Sequence, residues 1–219
     1  MPLTKRDPNN HTHFVIIGGG AAGLNAAETL RQSGFTGQIT LLTNENQVPY
    51  DRTLLTKAVA VGDPSKWKLR SDQYLADADI DVKLETQAYS VNPKEKKVIT
   101  TKGEHISFDK LLIATGSQVF TPPIKGIDLK GVFSLRTNQD MLKIKETVAK
   151  AKKVVVIGGS FIGSETAASI QQKFGANIQI DIIEGQAHLF ERTFGAEIGK
   201  MMKAEHEANG VNVHTSVTL

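Results

Sequence analysis

The sequence predicts an α/β fold built from two copies of one parallel βαβ unit with a small antiparallel meander between them. Two glycine-rich turns, each set between an apolar run and a helical pattern, predict the units. Short alternating segments between the turns predict the meander. The first unit opens with the apolar run Phe14, Val15, Ile16, Ile17 and continues into Gly18, Gly19, Gly20, Ala21, Ala22, Gly23. A helical pattern from Leu24 to Gln32 and a second apolar strand at 39–43 follow. The second unit runs from Val154, Val155, Val156, Ile157 into Gly158, Gly159, Ser160, Phe161, Ile162, Gly163. A helix from Ser164 to Lys173 and a strand from Ile178 to Ile183 complete it. Moving 140 residues along the chain pairs Gly18 with Gly158 and Asn44 with Glu184, which implies a repeat without gaps. Strand, helix and strand in that order form a crossover, and crossovers build parallel sheets.

Between the units the pattern shortens. Ile80 to Leu84, Ala88 to Val91 and Lys97 to Thr100 alternate partially and are separated by turn residues such as Asn92-Pro93 and Lys102-Gly103. They read as the meander. Leu111 to Gly116 reads as a buried strand returning to the parallel sheet and ending in a small-residue turn. Pro122, Pro123 and the loop from Ile124 to Gly131 mark a domain boundary. Thr137 to Lys150 has a threonine cap and places Met141, Ile144 and Val148 on one helical face. The expected organisation is a polar N-terminal tail at 1–13, a first domain at 14–121 and an incomplete second domain at 122–219.

The turns carry the chemistry. In such a turn the first glycine permits the bend after the strand, and the second lets a pyrophosphate approach the backbone. The third lets helix and strand pack closely. The free N–H groups and the dipole at the helix start then favour phosphate. Both units are therefore read as Rossmann-like. The phosphate cradles are the backbones of Gly18, Gly20, Ala22 and Gly23 in the first unit, and of Gly158, Ser160, Ile162 and Gly163 in the second. Ser160 departs from the glycine pattern but is small. Glu184 closes the second strand, where its carboxylate would accept hydrogen bonds from a ribose diol and repel a 2′-phosphate, favouring NADH over NADPH. In the first unit either Asn44 or Glu45 can play the ribose part.

Composition excludes several classes. The chain has 26 basic and 23 acidic residues, a net charge of +3, and no basic run interleaved with aromatics for nucleic-acid binding. It contains no cysteine, so disulfides, thiolate metal ligands and a cysteine redox relay are absent from these residues. No apolar stretch reaches the length of a membrane span, and the first residues lack a signal-peptide core, which leads to a cytoplasmic expectation. His11 and His13 read as part of a disordered tail. Glu205, His206 and Glu207 read as the solvent face of a last helix, not as a metal site. Trp67 reads as a surface or packing residue, and Asp181 inside an apolar strand has no explanation in the sequence.

The segment Val48, Pro49, Tyr50, Asp51, Arg52, Thr53, Leu54, Leu55, Thr56, Lys57 resembles a signature of the pyridine-nucleotide reductases that carry an FAD domain and an inserted NAD domain. The branch it is most similar to contains the apoptosis-inducing-factor-like flavoproteins and the ferredoxin and rubredoxin reductases. Thr53 stands where that signature has proline, and Thr56 where it has serine. The resemblance extends from Phe14 to the end of the chain. Disulfide reductases of the same fold carry a redox cysteine pair in this region, and the lack of cysteine argues against them.

The resemblance implies bound FAD and NAD, with Arg52 on the FAD pyrophosphate or ribose and Lys57 beside the flavin ring. Glu165 would pair with Lys57, the two tuning hydride acceptance. It further implies Ala88 as the adenine contact through its backbone, Thr115 and Gly116 as a turn approaching FAD, and Arg136 as a further contact. The implied activity is hydride transfer from NADH to flavin, then electron transfer to an acceptor, with a small iron–sulfur protein as the expected partner. A redox-responsive dinucleotide-binding protein with little turnover, or an inactive fragment, is the competing expectation. The resemblance also leads one to expect a truncated chain, since more strands and a C-terminal interface domain would follow.

Overall fold

Strand β1 (His13–Ile17) is the centre of the first unit because its side chains are apolar on both faces. The computed structural model describes residues 3–60, 62–175 and 177–218. It divides into two units, one of Met1–Asp51 with Ser65–Ser117, the other of Arg52–Pro64 with Gln118–Leu219. The segment 52–64 lies inside the range expected for the first domain but packs within the second unit.

In the first unit, helix α1 (Ala21–Gln32) buries Gly23, Leu24, Ala27, Glu28 and Arg31, the three- and four-residue spacing of one helical face. Strand β2 (Gln38–Leu42) follows. After the four-residue helix α2 (Leu54–Lys57) of the second unit come α3 (Asp72–Asp77) and β3 (Ile80–Lys83). The remaining strands are β4 (Ala88–Asn92), β5 (Lys97–Thr100), β6 (His105–Ser107) and β7 (Lys110–Ile113). The parallel sheet has the order β3-β2-β1-β7, and β4-β5-β6 forms a separate antiparallel sheet.

This corrects the expected meander. Ile80 to Lys83 pairs parallel with β2, while His105 to Ser107 supplies the third antiparallel strand. The physical reason is α3. A helix between β2 and β3 returns the chain to the same sheet edge, and Leu75, Ala78 and Ile80 then join Ile16, Leu24, Ile39 and Leu41 in one core. The other face of β1 and β2, carrying Val15, Ile17 and Leu42, packs against Val98 and Ile106 of the meander.

The N-terminal segment is tied to this unit. Thr4 N–H donates to Arg31 O at 3.1 Å and Asp7 N–H to Thr36 O at 2.8 Å. His13, expected in a disordered tail, begins β1 with its Nε2 2.9 Å from Thr40 Oγ1, and burial lowers its pKa. Arg31 is wholly buried and donates to four backbone carbonyls. Its Nε reaches Ala78 O at 2.7 Å, and its Nη atoms reach Phe35 O, Gly37 O and Asp79 O at 2.8 Å each. One guanidinium thus closes the turn after α1 onto the turn between α3 and β3.

The second unit contains α4 (Asn138–Val148), β8 (Lys153–Ile157), α5 (Phe161–Phe174), β9 (Gln179–Ile183), α6 (Glu191–Ala208) and β10 (Val211–His214). Its parallel sheet has the order β10-β9-β8. Thr137 caps α4 through a capping box with Asp140, and Met141, Ile144 and Val148 are buried as the helical pattern requires. α6 is broken at Gly195, whose φ of 79° leaves the helical region. His206 corrects the expected solvent face: it is 7% exposed, its Nε2 has no hydrogen-bond partner among the described residues and burial lowers its pKa, while Glu205 and Glu207 are exposed.

Asp181 now has a role. It is 4% exposed, and its carboxylate accepts from Lys153 Nζ at 2.7 Å, Asn212 Nδ2 at 2.7 Å and Gln179 Nε2 at 3.0 Å. His214 Nε2 lies 3.3 Å away. Lys153, followed by Asn212, Gln179 and His214, outweighs burial and holds this carboxyl far below its usual range. A depressed carboxylate pKa stabilises the fold fully above the unfolded value near 3.8, and that contribution is lost as pH falls below it. Urea unfolding across acidic pH should therefore show a shallower acid limb for Asp181→Asn than for the parent chain. Equal slopes would remove Asp181 from acid stability.

Candidate functional site

The two glycine turns have the same local geometry. Gly18 has φ of 124° and Gly158 φ of 100°, a region open to glycine at little cost. Gly18 N–H donates to Leu42 O and Gly158 N–H to Ile183 O, each at 2.8 Å. A Cβ built on Gly23 would stand 2.0 Å from Gly18 O, and one on Gly163 would stand 1.8 Å from Gly158 O. Glycine is what lets each helix start close against its turn. A Cβ on Gly20, by contrast, would meet nothing within 4 Å.

The starts of α1 and α5 differ from those of α3 and α4. Ser71 and Thr137 cap the latter pair with side-chain oxygens. Gly20 and Ser160 are extended N-cap residues that make no side-chain cap, and neither helix has an acid in its first turn. The first N–H groups of both helices thus point past a small N-cap residue with the dipole un-neutralised. These residues fit a pyrophosphate, which supplies the missing acceptors.

The rims of the two turns correct the gapless repeat. β1 and β2 pair Phe14 with Ile39, whereas β8 and β9 pair Val154 with Ile180, so the second strand of the second unit is displaced by one extra residue. Thr43, not Asn44, is the structural counterpart of Glu184. Thr43 Oγ1 accepts from Glu45 N–H at 3.2 Å, as Glu184 Oε1 accepts from Gln186 N–H at 2.8 Å. The helix between the strands is 14 residues in α5 against 12 in α1, and the connection to the next strand is one residue shorter, which leaves a net gain of one. Asn44 is exposed, and Glu45 accepts from the Tyr50 hydroxyl at 2.6 Å.

Glu184 also fastens its own turn, since Oε2 accepts from Gly159 N–H at 2.7 Å. It lines a cavity of about 390 Å³ with Ser160, Gln186, His188, Phe190 and Arg192. Elsewhere in the first unit, Ala88 is half-buried on β4, and Thr115 and Gly116 are exposed just after β7. Gly116 has φ of 69°. Ala114 O would lie 2.1 Å from a Cβ on Gly18, so this turn touches the glycine turn.

The second unit gathers the other residues. Arg52 Nη1 donates to Arg136 O at 2.5 Å. Lys57 Nζ donates to Glu165 Oε2 at 2.9 Å and to Thr53 O at 3.2 Å. The Lys57 side chain is 50% exposed and that of Glu165 30%. Burial raises the Glu165 pKa, but hydrogen bonds from Thr56 and Lys57 and the Lys57 charge outweigh it and leave a net lowering. The Glu165 carboxyl is therefore ionised near neutral pH. The pair opens into a cavity of about 750 Å³ lined by Phe161, Ser164, Phe194 and His206 among others.

Residue reading alone missed Thr43, Tyr50 and Thr56. The signature contained Tyr50 and Thr56, but only the fold shows their acceptors. Among the described residues no three His, Asp or Glu side chains gather as metal ligands, and no helix is long and apolar enough to cross a membrane.

With this geometry in view, comparisons with known proteins agree with the twofold pattern. Residues 12–219 match the family described as pyridine nucleotide-disulphide oxidoreductase. Apoptosis-inducing factor 3 from Homo sapiens is 34% identical over 206 residues, which is 94% of this chain and 33% of that protein. A rubredoxin-NAD(+) reductase from Pseudomonas putida is 32% identical, covering 94% of this chain and 53% of the relative. Among solved structures, the ferredoxin reductase for the CYP199A2 system from Rhodopseudomonas palustris superposes with a TM-score of 0.88 at 28% identity. That match covers 95% of this chain and 51% of the other. The chain thus spans a third to about half the length of these proteins.

Proposed function

Because this chain belongs to the pyridine nucleotide-disulphide oxidoreductase family, we propose that its first glycine turn holds FAD and its second a nicotinamide dinucleotide. The proposed reaction is oxidation of NADH with delivery of electrons to an acceptor, a small iron–sulfur protein. The observation that carries this reading is the repeated turn, two helix starts of one geometry that both lack side-chain caps. Names of relatives as ferredoxin and rubredoxin reductases support the choice of acceptor. The flavin, when bound, supplies the hydride-accepting ring and the ability to release electrons singly.

The chain's own work is placement and charge. The backbones of Gly18, Gly20, Ala22 and Gly23 would hold one pyrophosphate, and those of Gly158, Ser160, Ile162 and Gly163 the other. Glu45, oriented by Tyr50, is the proposed ribose acceptor of the first site, with Thr43 rather than Asn44 at the strand end. Ala88, Thr115 and Gly116 are proposed as further backbone contacts to FAD, and Arg52 and Arg136 as its cationic ones. The Lys57–Glu165 pair is proposed as the charged group that tunes hydride transfer. No side-chain acid or base is needed for that step.

The purified chain, reconstituted with FAD, should show flavin absorbance bands that bleach on addition of NADH under anaerobic conditions. A chain that takes up no flavin under any reconstitution would contradict the first site in these residues.

Cofactor choice is proposed to rest on Glu184, whose carboxylate would accept from ribose hydroxyls and repel a 2′-phosphate. Glu184→Ala removes the acceptors for Gly159 and Gln186 N–H as well, so it should weaken both nucleotides. Glu184→Gln keeps one acceptor while removing the charge. It should cut the preference for NADH over NADPH by about tenfold, measured as the ratio of kcat/KM values. An unchanged ratio would take Glu184 out of ribose recognition.

A further inference from the structure

We propose that Thr56 is a positioning residue for the Lys57–Glu165 pair, its hydroxyl fixing the orientation of the carboxylate that meets the ammonium. The inference rests on the reading of that pair as the group that tunes hydride transfer. Thr56 is 8% exposed and sits one residue before Lys57 on α2. Its hydroxyl donates to Oε2 of Glu165, and the same oxygen accepts from Lys57 Nζ at 2.9 Å. Thr53 O lies 3.4 Å from the Thr56 oxygen, a much longer contact. A hydroxyl has one proton, and the closer carboxylate takes it.

This arrangement narrows a soft torsion. The final torsion of a glutamate is broad, so a lone lysine partner leaves the carboxylate plane free to swing. A second donor fixed by the backbone removes that freedom. The branched side chain of threonine restricts χ1, which narrows the directions open to the hydroxyl. With both donors on Oε2, Oε1 accepts no hydrogen bond among the described residues. Glu165 lines the cavity, and Lys57, whose hydrogen bonds among the described residues are to Glu165 and Thr53 O, keeps one ammonium hydrogen for an incoming group. Thr56 carries no charge, yet its hydrogen bond joins that of the lysine and the lysine charge in lowering the Glu165 pKa.

Two measurements test it. In the first, the Glu165 carboxyl carbon is titrated by NMR in the chain without cofactor, its signal identified by loss in Glu165→Gln. Glu205 and His206 of α6 line the same cavity and are unaltered in every variant. Thr56→Val, which keeps the shape and removes the hydroxyl, should raise the titration midpoint, and Thr56→Ser should leave it near the parent value. A midpoint unmoved in the valine variant would overturn the proposal. In the second, NADH-driven bleaching of bound flavin should slow about tenfold in Thr56→Val, as the loss of a hydrogen bond to a charged group predicts, and stay within about twofold in Thr56→Ser. Slow bleaching in Lys57→Ala with parental bleaching in Thr56→Val would overturn the positioning role. If Lys57→Ala also bleaches at the parental rate, the reading of the pair fails instead, and the titration alone decides what Thr56 does.

Discussion

Replacing Arg31 by methionine is expected to lower the unfolding free energy of the first unit by about 3–5 kcal/mol, the range for breaking a buried charged network. Methionine fills much of the space, so the loss measures polar contacts more than packing. Four carbonyls, those of Phe35, Gly37, Ala78 and Asp79, lose their donor together. Burial opposes the charged form of Arg31, and nearby Asp79 partly offsets it. Arg31→Lys should recover less than half of the loss, because a single ammonium cannot reach acceptors spread around a planar fork. The check is urea unfolding followed by far-UV circular dichroism, in which the midpoint should fall at nearly constant slope. A change below about 1 kcal/mol for Arg31→Met would mean that water replaces the guanidinium at little cost.

Gly18→Ala should be clearly more damaging than Gly158→Ala, although both are first glycines of the same repeat. Both positions have positive φ, a strain of about 1–3 kcal/mol for a residue with a side chain. Only Gly18 adds a collision, since its Cβ would lie 2.1 Å from Ala114 O, a backbone atom that cannot rotate away. Gly158 has nothing within 4 Å of the equivalent position. Overpacking of this kind adds about 1–3 kcal/mol, so the Gly18 variant should lose about twice as much stability as the Gly158 variant. It should also fail to retain FAD. Equal losses in the two variants, measured by parallel urea titrations, would show that the β7 turn yields to the new methyl group.

The same pair of glycines shows how the two units differ in sheet position. β1 lies between β2 and β7, whereas β8 has β9 on one side in the order β10-β9-β8. Val15 and Ile17, whose face is also covered by the meander, are 0% and 8% exposed, while Val155 and Ile157 are 47% and 51% exposed. Identical local patterns therefore meet different surroundings, and a substitution at matching positions does not have a matching cost.

What the sequence determined by itself was local in origin. The glycine turns follow from φ angles and backbone approaches that only glycine permits. The cap of α4 follows from Thr137 and Asp140, three residues apart, and its buried face from the spacing of Met141, Ile144 and Val148. The pairing of Lys57 with Glu165 came through resemblance, since nothing in either residue's neighbourhood announces a partner 108 positions away.

The tertiary structure decided the rest, and in each case the reason is distance along the chain. Whether Ile80 to Lys83 joined the meander or the parallel sheet depended on α3 returning the chain to β2, which alternation alone does not encode. The one-residue displacement that makes Thr43 the counterpart of Glu184 is visible only in strand register. Asp181 looked misplaced in an apolar strand because its partners come from β8 and β10 as well as from its own strand. In the sequence Arg31 is one arginine in a helical pattern; the fold brings two turns, one at 35–37 and the other at 78–79, onto its guanidinium. Local sequence fixes which conformations a segment can adopt. The partners that satisfy its buried charges and hydrogen bonds are chosen by the fold.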